Sequence, residues 1–294
     1  MANIFKSFEN FAPSYTGSDD SIVSATAVYE SADACQAAAE QLSAILDDYR
    51  TVREAMVASR KGERSAAFEA LVGPSLKQYA SMEEAKDTRK FWDKVKEFFI
   101  RLWHSVQDFF AKFSVFASMT KSKLDKLNIA EIYNAVDKDE SKLEVATVKL
   151  SSLGADSGAA MWTAPDASAD AQKLSEYAKQ LKAALKDIRD NNKQDREVKL
   201  TKAVAENTRK NLSAALGAII KGRDNVVKGF KQAVDEVKGG NGIGDDVNKK
   251  LRINALKDAR HAQLMAILAK SKLLIKDAKT FIAGVKKVKK AKAA

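Results

Sequence analysis

The chain has 294 residues and a mass of 32.1 kDa, is 45% hydrophobic, and carries 13 Gly, 3 Pro and a single Cys at a net charge of +11. That length and apolar fraction support a sizeable core and exclude disorder throughout, while the dominance of Ala, Lys, Leu, Glu and Asp predicts a mainly α-helical protein. The lone Cys35 excludes an internal disulfide framework; in the run SADACQAAAE it reads as a small buried apolar residue of a chain made in a reducing compartment.

The positive charge is unevenly spread. Residues 1–169 carry 20 Lys and Arg against 25 Asp and Glu, a balance of −5, whereas residues 170–294 carry 30 against 14, a balance of +16. The start, MANIFKSFENF, has no apolar core behind a basic leader, so no signal peptide is expected. No run of about 18 apolar residues occurs that could cross a bilayer as a hydrophobic helix.

In chain order, APSYTGSDD (12–20) predicts a polar loop with N-cap residues for a first helix running to about Ser59, with Ile22, Val23, Val28, Leu42, Ile45, Leu46, Tyr49, Val52 and Met56 on its apolar stripe. KGER (61–64) breaks it, and AFEALVG (67–73) predicts a short helix stopped by Gly73 and Pro74. An aromatic amphipathic helix is expected over 88–118. Its Phe91, Trp92, Val95, Phe98, Phe99, Leu102, Trp103, Val106, Phe109, Phe110 and Phe113 recur at i, i+3, i+4, i+7 spacing and form one broad apolar face. Leu124, Leu127, Ile129, Ile132, Tyr133 and Val136 predict the next short helix.

LEVATVKL (143–150) is β-branched and partly alternating, so a short strand pair is expected near 143–165. Residues 151–170, small and polar with Pro165, form a linker or surface excursion anchored by Trp162. Beyond it lie one helix through Leu174, Tyr177, Leu181, Leu185 and Ile188, and a second from Val198 and Leu200 to Val234. After KGGNGIGDD (238–246) comes a last helix from Leu251 to Val285. The expected architecture is a multi-helix bundle with long helices in three parts: an acidic-start region 1–150, the excursion 151–170, and a basic long-helix region 171–294.

Parts for catalysis are absent from the pattern. His104 and His261 have no ligand partners at metal spacing, and there is no nucleophile elbow or Walker loop. GGNGIG (239–244) follows a helix where a dinucleotide fingerprint would follow a strand, so it reads as an inter-helix turn. No enzyme activity and no cofactor are expected. The basic half can instead attract phosphates without reading base sequence. Lys286, Lys287, Lys289, Lys290 and Lys292 are the candidate DNA contacts, because no acidic residue follows them in the chain to offset their charge.

The acidic, Ala-rich first helix, the stretch AFEALVGPSLKQYASMEEAKDTRKFWDKVKEFFIRLWHSVQDFF and the following KSKLDKLN resemble the internal head or inner-body virion proteins of large (jumbo) tailed bacteriophages. The resemblance covers about residues 20–130. It implies a non-enzymatic structural protein, made in the host cytoplasm and packaged in the capsid interior. Its implied partners are double-stranded DNA, bound without sequence preference, and other virion proteins or further copies of itself. It also implies trimming by a prohead protease after Glu in a small-x-Glu context, which makes Glu9 and Glu69 candidate processing positions. For Phe91, Trp92, Phe98, Phe99, Trp103, Phe109, Phe110 and Phe113, bundle core competes with a docking face and with membrane contact. Core is favoured, because the opposite face mixes both charge signs where a membrane-surface helix carries mainly Lys and Arg. The alternatives in function are a membrane-active helical-bundle protein, pore-forming or remodelling, and a host nucleoid-type DNA-binding protein.

Overall fold

A computed structural model describes residues 24–60, 88–151, 161, 163–166, 168–192, 196–239 and 247–290. The protein is mainly α-helical. In order, the elements are α1 (Ala25–Arg60), α2 (Thr88–Asp125), α3 (Ile129–Val136), a 3-10 turn (Glu140–Lys142), β1 (Leu143–Glu144), β2 (Thr147–Leu150), α4 (Ala171–Asn192), β3 (Arg196–Lys199), α5 (Lys202–Gly239), α6 (Val247–Val285) and β4 (Lys289–Lys290). The expected short helix at 67–73, the loops at 12–20 and 240–246, Trp162, and the positions Glu9, Glu69 and Lys292 lie outside the described residues.

Side-chain caps start four of the helices. The Ser24 hydroxyl accepts from the Ala27 N–H at 3.0 Å, the Asn128 side chain from the Glu131 N–H at 3.1 Å, Asp170 from the Lys173 N–H at 2.7 Å, and Thr201 from the Val204 N–H at 3.4 Å. Each satisfies a donor that a helix leaves without an internal partner. Leu124, expected in the short helix, belongs to the last turn of α2, because the Asn128 cap sets the start of α3 at Ile129.

α1 and α2 meet along a seam with coiled-coil spacing. Val28, Ala32, Cys35, Ala39, Leu42, Leu46 and Tyr49, all buried, alternate steps of four and three residues; Leu102, Val106, Phe109, Phe113 and Phe116 do the same on α2. Large residues on α2 face a line on α1 that begins with small ones, which lets two long helices approach closely without voids. The Phe109 ring lies edge-on to Phe110 at 5.1 Å between centroids and stacks with Phe113 at 5.3 Å. Trp103 is half-buried and stacks on Phe230 of α5 at 5.9 Å.

Cys35 is fully buried in this seam, and burial pushes its thiol up to about 12, with Lys112 only partly opposing. Since the thiolate is the reactive form, a disulfide reagent at pH 8 should leave the native protein unlabelled and titrate one thiol after denaturation. Fast labelling of the folded protein would place Cys35 outside the seam.

The helix α6 packs against α1, α4, α5 and β2. Its buried residues run from Ile253 through Leu264, Ile267, Leu268, Leu274 and Phe281 to Val285 and surround the helix, as a central position requires. Leu251, expected on its apolar stripe, is 55% exposed at the start of the helix. One hydrophobic cluster extends from Val28 to Val285, so residues before 151 and after 170 share a core.

The strand expected near 143–165 is present at 143–144 and 147–150, but its partners come from far along the chain. β1 pairs antiparallel with β4, and β2 pairs antiparallel with β3, Val148 opposite Val198. Directly after β2, Ser151 is tied to α6, donating to Asp277 from its N–H at 3.0 Å and from its hydroxyl. Residues 196–199, expected as the start of a helix, form β3, and α5 begins only at Lys202 behind the Thr201 cap. Leu200 is buried, and its carbonyl accepts from the Tyr133 hydroxyl. Gly284 lets this corner sit on α6: a Cβ there would lie 2.6 Å from Leu200 Cδ1 and 2.8 Å from Val148 Cγ1.

Candidate functional site

The C-terminal lysines are held in place by the bundle. After α6 ends at Val285, a turn is closed by the Lys287 N–H donating to the Gly284 carbonyl at 3.0 Å, and β4 then lies along β1. Lys286, Lys287, Lys289 and Lys290 are all exposed. Lys289 faces Glu144 at 3.3 Å and Lys290 faces Asp137 at 3.0 Å. The run of positive charge, unopposed along the chain, is therefore partly neutralised in space. Lys202 adds a further pair with Glu140 at 3.5 Å. The Asp137 carboxyl is held below the usual carboxylate range, first by the Asp139 backbone N–H and then by Lys290. A depressed carboxylate favours the fold above its unfolded pKa, and that contribution fades as pH falls through the folded value. The Lys289–Glu144 pair, exposed on both sides, contributes little and weakens with salt.

Further exposed cations stand on α4 and α5, helices whose opposite sides are locked into the core. On α4, Lys173, Lys179, Lys182, Lys186 and Arg189 are exposed, while Leu174, Tyr177, Ala178, Leu181 and Ile188 are buried. On α5, Lys210, Lys221, Lys228 and Lys231 are exposed.

Of the aromatic candidates, Phe109, Phe110 and Phe113 are fully buried in the core, and Phe98 and Trp103 are half-buried against it. The side chains of Phe91, Trp92 and Phe99 lie outside the described residues.

A buried polar cluster on α6 escaped the sequence reading. Arg260 is 4% exposed; its guanidinium donates to Gln263 Oε1 at 3.0 Å and to the Pro165 carbonyl at 3.0 Å, and Gln263 donates to the Met161 carbonyl at 2.8 Å. A chain segment laid on a helix buries carbonyls that need donors, and these two side chains supply them. Gly229 of α5 makes room for the guanidinium, since a Cβ there would lie 2.8 Å from an Arg260 terminal nitrogen. Burial lowers the Arg260 pKa, opposed by Tyr177 and Asp166, and burial raises that of the Tyr177 hydroxyl. These contacts hold Met161 and Pro165 against α6, while the buried Arg260 Nε has no hydrogen-bond partner among the described residues.

His104 is exposed, and His261 stacks on Tyr49 at 5.2 Å. Among the described residues no group of three His, Cys, Asp or Glu side chains could hold a metal ion, and no helix is long and apolar enough to cross a membrane. Set beside family models, curated proteins and solved structures, the chain matches none of them.

Proposed function

We propose that the protein is a non-enzymatic structural component of a tailed-phage virion, sited in the capsid interior and associated with packaged duplex DNA through the basic half of its chain. The observation that carries the DNA association is the balance of +16 over residues 170–294, presented on exposed lysines of α4 and α5 and of the turn after α6. The capsid setting is drawn from the resemblance over residues 20–130. A membrane-active role draws no support from α2, whose Phe109, Phe110 and Phe113 lie in the core.

Because helices from both halves share one core, the test uses the whole chain. Fluorescence anisotropy should show binding to unrelated duplexes with equal affinity and a slope of log affinity against log salt of about −0.9 per phosphate neutralised. Changing Lys286, Lys287, Lys289 and Lys290 together to Gln should make the slope shallower by only about 2, because two of the four already face carboxylates. No binding at 50 mM salt would remove the DNA association, and absence of the chain from purified virions by mass spectrometry would remove the capsid setting.

A further inference from the structure

We infer that the principal DNA-contacting surface is one flank of α4, formed by Lys179, Lys182, Lys186 and Arg189, and that the C-terminal lysines are secondary to it. The inference rests on the DNA association proposed above and assigns it a place. The four cations stand at i, i+3, i+7 and i+10 and all are exposed. With 3.6 residues per turn they fall within an arc of about 80° and form a row about 15 Å long. Glu176, Asp187 and Asp190, also exposed, gather on the neighbouring flank, and Lys173 lies beyond them. The helix thus separates its charges side by side, where interleaved signs would cancel. None of the four cations is within ion-pair distance of a described carboxylate, in contrast to Lys202, Lys289 and Lys290.

The row is rigidly presented, since Leu174, Tyr177, Leu181 and Ile188 fasten the opposite face of α4 to α6. It also leads to further positive charge. α4 ends at Asn192, shortly before β3; β3 pairs with β2, and Val148 of β2 and Leu200 sit on Gly284 near the end of α6. The same end of the bundle therefore carries exposed Arg196, Lys199, Lys286 and Lys287. A straight row of separated cations suits the regular phosphates of a duplex. An anionic membrane would call for large apolar residues beside the cations, and the uncharged exposed positions of α4 among the described side chains are Gln172, Gln180 and Ala183.

The test compares full-length variants by anisotropy on a 30-base-pair duplex at several salt concentrations. K179Q/K182Q/K186Q/R189Q should make the salt slope shallower by about 3 and weaken binding about a hundredfold at 0.1 M salt. K112Q/K121Q/K123Q/K126Q at the end of α2 and the turn after it, with the same change in net charge, should keep nearly the wild-type slope. E176Q/D187N/D190N should tighten binding, which keeps the inference testable if the α4 cation variant folds poorly. Wild-type slope and affinity in a folded α4 cation variant, or an equal loss in the α2 variant, would overturn the inference while leaving the DNA association standing. Failure of the wild type to bind DNA would overturn both. Sedimentation of the wild type with phosphatidylserine vesicles, with no binding to duplex, would assign the flank to a membrane instead.

Discussion

Phe113→Ala should lower the free energy of unfolding by about 3–5 kcal/mol, the largest single effect expected in this protein. The ring is 1% exposed and lies in the stack between Phe109 at 5.3 Å and Phe116 at 6.3 Å. Its removal takes apolar surface out of the core and leaves a cavity that its ring neighbours cannot fill without abandoning their own packing. Ile100→Ala, on the same helix but 46% exposed, should change stability by about 0.5 kcal/mol or less. Urea titrations of both variants at unchanged m-value supply the comparison. Equal effects at the two positions would mean that the α2 aromatic face does not form the core.

A second large effect carries a change of sign. Gly229→Ala should destabilise the wild type by about 1–3 kcal/mol. The new Cβ would meet Arg260 at 2.8 Å, and moving that guanidinium costs more than moving a loose side-chain tip, because it is buried and tied to Gln263 and to the Pro165 carbonyl. Arg260→Ala alone should cost about 2 kcal/mol or more, since those acceptors lose their donor. With Arg260 already truncated, the added methyl meets no guanidinium, and the ordinary preference of a helix for Ala over Gly should make Gly229→Ala stabilising by about 0.5–1 kcal/mol. A double-mutant cycle reads this coupling directly. The same destabilisation in both backgrounds would sink the proposed steric dependence.

Periodicity along one helix was readable; meetings between distant segments were not. The spacing of Phe109, Phe110 and Phe113 predicted one apolar face, and the mixed charges opposite it favoured core over docking or membrane contact. The facing seam on α1 was only half seen: Cys35 read as buried, but Ala32 and Ala39 look like composition until a partner shows that their small size is what α2 needs. LEVATVKL announced strand character, yet nothing within it names 196–199 or 289–290 as partners, because antiparallel pairing is set by where the helices bring the chain. Arg260 and Gln263 resemble the solvated residues of any charged helix, and their burial depends on a glycine thirty-one positions earlier on another helix. The positive balance of the C-terminal half was plain from counting, whereas the pairing of Lys289 with Glu144 and Lys290 with Asp137 required the fold.

The central place of α6 has a consequence for biosynthesis. This helix follows α1 to α5 in the chain, yet it supplies the surface on which α1, α4, α5 and β2 pack. During translation the faces that end on α6 must therefore wait uncovered, among them the face of α4 formed by Leu174, Tyr177, Leu181 and Ile188. Domains whose contacts close late are exposed to aggregation while they are being made. Nascent chains arrested before Val247 should accordingly be protease-sensitive and recruit holding chaperones, and protection should arrive in one step once α6 has emerged.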